Sequence, residues 1–126
     1  MKKSGLLHPE LLEAIATLGH TDEFVVCDAG FPIPDELPRI DLGYRAGMPP
    51  FLDVLEAVMA EVAAEGAVIA AEASPDLVGA IEALTGRAER VPHTDFKRRA
   101  RGARFAVRTG EFTPYANVIV VCGVAF

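Results

Sequence analysis

Residues 24–30 read Phe-Val-Val-Cys-Asp-Ala-Gly, an unbroken apolar run that ends in an aspartate and two small residues. A short run of this kind, without polar alternation, is typical of a strand buried on both faces of a sheet. Similar apolar runs occupy residues 67–71 and 118–125. Sheets covered on both faces are mostly parallel, so these runs predict a layered domain with a largely parallel central sheet.

Helical patterns alternate with the apolar runs. Pro9 suits a first helical residue, and the apolar positions after it share one face as far as Gly19, which we expect to end the helix. A second apolar face recurs from residue 51 to residue 62, and Gly66 is its expected stop.

The second half of the chain continues this alternation. Ser74, followed by a proline and an aspartate, predicts the N-cap of a helix that reaches about Leu84. Residues 94–101 predict a short basic helix. Further short strands are predicted at residues 89–91 and 105–107. The chain is long enough for one hydrophobic core, so we expect a single α/β domain over residues 1–126, with an α/β/α layered architecture.

The charge balance limits the classes of partner. The net charge is −6, from 18 acidic residues against 12 lysines and arginines. This balance argues against binding of a nucleic-acid backbone, which depends on clustered basic residues. One basic cluster does occur, formed by Lys97, Arg98, Arg99, Arg101 and Arg104. We interpret it as a solvated helix face, and an anion-binding patch is the alternative.

Other classes lack their characteristic motifs. No segment has the roughly 20 apolar residues of a membrane span, and the N-terminus lacks an apolar stretch of signal-peptide length. Cys27 and Cys122 lie in apolar runs without metal-ligand spacing, so we expect two buried core residues and no metal site. Gly-rich phosphate loops and metal-hydrolase motifs are missing. We expect a cytoplasmic protein without nucleic-acid or membrane partners.

Three histidines are the first candidates for chemistry. His8 precedes the first helix, where a capping or exposed role is the better interpretation. His20 follows the expected helix stop, and it could be either a surface loop residue or a proton-transfer group. Imidazole is the side chain whose ordinary pKa suits proton transfer near neutral pH. His93 lies four residues before Lys97, so the two would share a helix face and either could reach one ligand.

Asp28 ends the first buried strand, where ligands of α/β sheets gather. The alternative is a turn aspartate that bonds its own backbone. Tyr115 and Asn117 lie in a polar turn before the last strand and could both offer hydrogen bonds to hydroxyl groups, although turn chemistry alone also explains Asn117. The residues by themselves therefore predict an α/β domain with a candidate polar site.

Five segments, spread from end to end of the chain, carry a family resemblance. They are residues 18–22, 25–34, 39–42, 47–51 and 109–119. Their Gly-His-Thr-Asp, Asp-Ala-Gly-Phe-Pro-Ile-Pro and Pro-Tyr-Ala-Asn motifs closely resemble the D-ribose pyranase family. The neighbouring fucose mutarotases share the Gly-His and aspartate signals but tend to carry Tyr-Gly-Asn where this chain has Tyr-Ala-Asn. That difference favours the ribose branch.

The resemblance implies a sugar isomerase that interconverts the β-pyranose and β-furanose forms of D-ribose by acid–base ring opening and reclosure. An L-fucose-type mutarotase and a non-catalytic sugar-binding module are the alternatives. His20 would be the proton donor. The substrate-binding residues would be Asp28, His93, Tyr115, Ala116 and Asn117. No cofactor or metal is expected, because ring opening needs only proton transfer, and the resemblance also implies a ring-like homodecamer.

One geometric condition follows from the order of these residues. His20 precedes the first strand and Asp28 ends it. A strand of five to six residues would separate them by roughly 17–20 Å, too far for one small sugar to touch both. We therefore expect the site to be completed across a subunit interface, with His20 from one chain and Asp28 from another.

Overall fold

The alternation of helix and strand is present in a computed structural model that describes all 126 residues. The helices are α1 (Pro9–Ala16), α2 (Phe51–Met59), α3 (Pro75–Thr85) and α4 (His93–Ala100). The strands are β1 (Glu23–Cys27), β2 (Arg39–Asp41), β3 (Ala64–Ala70), β4 (Glu89–Val91), β5 (Ala106–Arg108) and β6 (Val118–Cys122). None of the helices has the length and apolar character that crossing a membrane requires.

The six strands form one sheet in the order β2-β5-β1-β6-β3-β4. Five strands share one direction, and β6 runs antiparallel to both of its neighbours, β1 and β3. The expected largely parallel sheet is confirmed. Glu23 pairs with Val121 and Val26 with Val118. The end of β1 therefore lies beside the start of β6, and the start of β1 beside the end of β6.

Alternate residues of β1, β3, β5 and β6 face two separate cores. Phe24 and Val26 pack with α1, α2 and α3 in the larger core. Val25 and Cys27 face the smaller core, which α4 and the loop from Phe31 to Leu37 cover. Side chains on a strand point alternately to its two faces, so an uninterrupted apolar strand requires a layer on each side. The expected α/β/α layering is confirmed.

Several predicted boundaries are wrong by a few residues. α1 ends at Ala16, before Gly19, because the Thr17 hydroxyl donates to the Ala14 carbonyl at 2.7 Å and the chain turns there. α2 ends at Met59, and Gly66 is not a helix stop but a residue of β3. A Cβ at Gly66 would lie 3.7 Å from Val121 of β6, an ordinary van der Waals distance, so strand packing does not require a glycine at this position. β2 was not predicted, since it has only three residues after a proline-rich loop.

The local expectations at helix starts are confirmed. The Ser74 hydroxyl accepts from Leu77 N at 3.2 Å and caps α3, and His8 Nδ1 accepts from Leu11 N at 3.2 Å and caps α1. Both cysteines are buried and unpaired. In the basic cluster, Arg99 contacts the carboxylates of Glu23 and Glu89, at 2.7 Å and 3.1 Å. These ion pairs support the interpretation of that helix face as a charge-balanced surface.

Candidate functional site

Asp28 and Asn117 meet at the carboxyl end of β1, although 89 residues separate them in the chain. Asn117 Nδ2 donates to Asp28 Oδ2 at 3.1 Å, and Asp28 N donates to Asn117 Oδ1 at 2.9 Å. Asn117 is only 1% exposed. The antiparallel pairing of β1 with β6 produces this contact, because the residue after one strand lies beside the residue before the other.

Asp28 also forms the turn that its sequence context predicted. Its Oδ1 accepts from Gly30 N at 3.0 Å, so the carboxylate bonds the local backbone as well as Asn117. The turn interpretation is therefore confirmed, and the role of Asp28 in a ligand site stays a prediction. Each carboxylate oxygen has two lone pairs, and one on each remains for a ligand hydroxyl.

His93 and Tyr115 complete this group, which we call the Asp28 cluster (Asp28, His93, Tyr115 and Asn117). Their ring centroids lie 5.1 Å apart at 81°, an edge-to-face arrangement. His93 is the first residue of α4, and its backbone N donates to the Glu72 carboxylate at 3.0 Å. His93 Nδ1 is buried without a hydrogen-bond partner. The imidazole is therefore held by packing rather than by side-chain hydrogen bonds.

The turn before β6 has an unusual backbone. Tyr115 has φ 63°, in the left-handed region that non-glycine residues rarely adopt, and Ala116 is fully buried. The sequence did not single out Glu111, whose carboxylate accepts from Phe51 N at 3.0 Å and from the Thr113 hydroxyl at 3.0 Å. Burial raises the pKa of Glu111, but these hydrogen bonds outweigh it and leave the pKa below its ordinary value. Glu111 thus joins the start of α2 to the turn that carries Tyr115.

Lys97 lies one turn along α4 from His93. It lines an open groove of about 710 Å³ between α4 and the loop at 32–36. The groove contains Asp35 and Glu36 as well as Arg98 and Arg101, so charges of both signs face it. The structure shows no bond from Lys97 to the Asp28 cluster.

His20 lies at the opposite end of β1. Its side chain is 52% exposed, and Nε2 lies 3.0 Å from Glu65 Oε2. Around it is a shallow cavity of about 440 Å³, lined mostly by apolar residues that include Leu18, Val124 and Phe126. Five residues of β1 correspond to about 17 Å, so one chain does not bring His20 to the Asp28 cluster.

The Cys27 thiol is excluded as a nucleophile. Burial, together with the neighbouring Asp28 carboxylate, raises the pKa of Cys27 to about 12, so the thiol stays protonated at neutral pH. No three His, Cys, Asp or Glu side chains converge in an arrangement that could hold a metal ion. Proton transfer and hydrogen bonding are the chemistry that the polar side chains of both ends can perform.

Comparison with known proteins identifies relatives over the whole chain. The model of the RbsD / FucU transport protein family matches residues 1–125. A D-ribose pyranase of Vibrio vulnificus (strain YJ016) is 47% identical over 139 aligned positions, and one of Cutibacterium acnes is 50% identical over 127, in both cases covering all of each chain.

Solved structures agree with these sequence relatives. The structure of Bacillus subtilis RbsD complexed with D-ribose superposes with a TM-score of 0.94 at 40% identity, over all of both chains. FucU from Bifidobacterium longum superposes with a TM-score of 0.80 at 23% identity, over 95% of this chain and 97% of that one. The second likeness shows a shared fold.

Proposed function

The chain belongs to the RbsD / FucU family, and from this membership we propose that it is a D-ribose pyranase, an isomerase that interconverts the β-pyranose and β-furanose rings of D-ribose. The observation that carries the proposal is identity of 47–50% to D-ribose pyranases over the full chain. The hydrogen-bonding Asp28 cluster, suited to a small polyhydroxyl ligand, supports it.

Ring opening of a cyclic hemiacetal requires two proton movements. The ring oxygen takes up a proton as its bond to the anomeric carbon breaks, and the anomeric hydroxyl loses one as the carbonyl forms. Reclosure through a different hydroxyl changes the ring size. We assign the proton donation to His20, because a positioned imidazole can exchange protons near neutral pH, which is typically worth about 10²–10⁴-fold in rate.

The Asp28 cluster would hold the sugar. Asp28 has carboxylate lone pairs for hydroxyl donors, and the Tyr115 phenol can both donate and accept. His93 and Tyr115 offer ring faces and edges to the apolar side of a sugar. Ala116 would contribute its backbone and Asn117 its bond to Asp28, which fixes the carboxylate in place.

We further propose that the site forms between subunits of a homo-oligomer, a decamer as the family resemblance implies. His20 and Asp28 lie at opposite ends of β1, so a second copy must bring a His20 to each Asp28 cluster. Large apolar side chains exposed on the single chain support such contacts. They are Leu7, Tyr44, Phe112, Val124 and Phe126. The cytoplasmic location stays a prediction.

Saturation-transfer NMR on D-ribose tests the activity. We expect the protein to accelerate pyranose–furanose exchange at catalytic concentration. An L-fucose-type mutarotase would instead accelerate anomer exchange of L-fucose and leave ribose unchanged. A non-catalytic module would bind ribose, measured by calorimetry, without accelerating exchange, and that outcome would overturn the proposal.

Mixing two inactive variants tests the shared site. His20→Ala and Asp28→Ala chains, each inactive alone, are unfolded together and refolded as mixed oligomers. If every site takes His20 from one chain and Asp28 from another, random mixing restores about a quarter of the sites. A site within one chain would give no recovery. Refolding each variant alone is the control, and size-exclusion chromatography with light scattering gives the subunit number.

A further inference from the structure

Glu65 is the extra residue of a β-bulge in β3. Ala64 pairs with Cys122 of β6 and Gly66 pairs with Val121, so two consecutive residues of β6 face three residues of β3. A bulge of this kind bends the strand and redirects a side chain, and such bulges are common next to active sites. The redirected side chain here is a carboxylate.

That carboxylate contacts His20 across 45 residues of sequence, with Oε2 3.0 Å from Nε2. Gly123, which follows β6, leaves room for it: a Cβ at that position would lie 3.2 Å from the Glu65 Cβ. Gly123 N donates to the Ala63 carbonyl at 2.9 Å, which ties the two chain segments together beside the bulge. The local backbone therefore places Glu65 against the imidazole.

The turn that carries His20 is also fixed by hydrogen bonds. Gly19 N donates to Asp22 Oδ2 at 2.8 Å, and Thr21 N donates to the Cys122 carbonyl at 2.9 Å. Thr21 has φ 70°, a conformation that a β-branched residue adopts only where its surroundings impose it. His20 is half-exposed, yet its backbone is held on both sides.

From this geometry we propose that Glu65 is a positioning residue, which fixes the hydrogen of His20 on Nε2 and leaves Nδ1 as the atom that exchanges protons with the sugar. A carboxylate can only accept, so the imidazole nitrogen that faces it carries a hydrogen. Carboxylate partners set the tautomer and orientation of metal-bound histidines in the same way. The catalytic consequence rests on the proposed function, whereas the tautomer does not.

In the imidazolium form, Nδ1 gives its proton to the ring oxygen as the bond between that oxygen and the anomeric carbon breaks, and the bonding pair stays on the oxygen. The anomeric hydroxyl releases its proton to water while its O–H electron pair forms the carbonyl. Reclosure reverses both transfers through another hydroxyl. The hydrogen on Nε2 stays bonded to Glu65 throughout, so the imidazole keeps its orientation between the two steps.

Nitrogen-15 NMR of the full protein tests the tautomer, with the His20 signals assigned by their loss in His20→Gln. We expect neutral His20 to carry its hydrogen on Nε2 in the wild type. Glu65→Leu should give a mixture of tautomers and lower ribose exchange by about 10–100-fold, the range typical of such partners. Glu65→Gln still offers an acceptor oxygen, so it should keep the tautomer and lose less activity.

Glu61→Gln is the matched control, since Glu61 lines the same cavity and has no bond to His20. It removes the same charge and should leave both the tautomer and the rate at wild-type values. A wild-type hydrogen on Nδ1, or a Glu65→Leu protein that keeps the wild-type tautomer and rate, would overturn the positioning role. Absence of ribose exchange in the wild type would overturn the proposed function, and the tautomer ratio would still decide the role of Glu65.

Discussion

The two ends of β1 differ in how the fold supports them. At the carboxyl end, Asp28 and Asn117 form two mutual hydrogen bonds, and Asn117 is buried. At the amino end, His20 is half-exposed and its side chain has one hydrogen-bond partner, Glu65. A rigid, buried group suits recognition of hydroxyls in fixed positions. An exposed imidazole suits the proton exchange that we propose with a sugar bound by a neighbouring chain.

This difference separates stability from activity. Removing a buried, bonded polar group leaves its partner unsatisfied and destabilises the chain, whereas truncation of an exposed side chain rarely changes stability. Variants at the Asp28 end should therefore lose both stability and activity. Truncation of the His20 side chain should lower activity alone.

The largest expected effect is that of His20→Ala on the rate. We expect ribose exchange to fall by about 10²–10⁴-fold, the usual contribution of a positioned acid–base group. The free energy of unfolding should stay within about 0.5 kcal/mol of wild type. His8→Ala is the control: it removes the α1 cap, so it should cost about 1 kcal/mol of stability and leave exchange unchanged. Saturation-transfer NMR measures the exchange rate, and urea unfolding measures the free energy of unfolding. If His20→Ala destabilised the chain as much as His8→Ala does, His20 would contribute to stability as well as to activity.

Asn117→Ala should produce the next largest change, now in stability. It leaves the backbone N and the carboxylate of Asp28 without their partner, at a cost of about 2–3 kcal/mol. A double-mutant cycle with Asp28→Ala checks the cause, because residues in one hydrogen-bond network are not additive. If the two losses in unfolding free energy simply add, the pair is not the unit that the structure shows.

The sequence predicted the elements that depend on local patterns. Ser74 and His8 could be identified as helix caps because a cap is set by the residues next to it. The buried strand at Phe24 to Cys27 was predicted for the same reason. Gly66 was misinterpreted as a helix stop because its place in β3 depends on pairing with Val121, a residue of another strand.

The candidate site was predictable only in part, and for the same physical reason. A family resemblance picked out His20 and the Asp28 cluster, and the length of one strand was enough to predict their separation. The pairing of Asp28 with Asn117 depends on the antiparallel direction of β6, and no local sequence pattern predicts that direction. Glu65 had no local signal, since it meets His20 across 45 residues, and the bond between Glu111 and Phe51 spans 60 residues.

Glu111→Gln should lower the free energy of unfolding by about 1 kcal/mol, because the amide nitrogen that replaces one carboxylate oxygen cannot accept from Thr113 N. The pKa of Glu111 is lowered in the folded state, so its contribution is present above the ordinary carboxyl pKa and is lost as pH falls through the lowered value. The stability difference from wild type should therefore shrink below about pH 4. Glu56→Gln, at an exposed position of α2, is the matched control and should leave the free energy of unfolding at the wild-type value. Urea unfolding across the pH range measures the stability difference. A loss of stability in Glu111→Gln that does not depend on pH would contradict a role for the charge of the Glu111 carboxylate.

The smallest expected effect compares the two strained residues, Thr21 beside His20 and Tyr115 beside Asn117, which have φ 70° and φ 63°. Asparagine tolerates this conformation better than threonine, so Thr21→Asn should stabilise the chain by roughly 0.5–1 kcal/mol. Tyr115→Asn relieves similar strain but removes the ring that packs 5.1 Å from His93, so it should destabilise. The midpoint of urea unfolding, at an unchanged slope, measures both. A higher midpoint for Thr21→Asn and a lower one for Tyr115→Asn would show that packing offsets the backbone strain at the Asp28 end and does not offset it at the His20 end. Midpoints that change in the same direction would mean that the two ends do not differ in this respect.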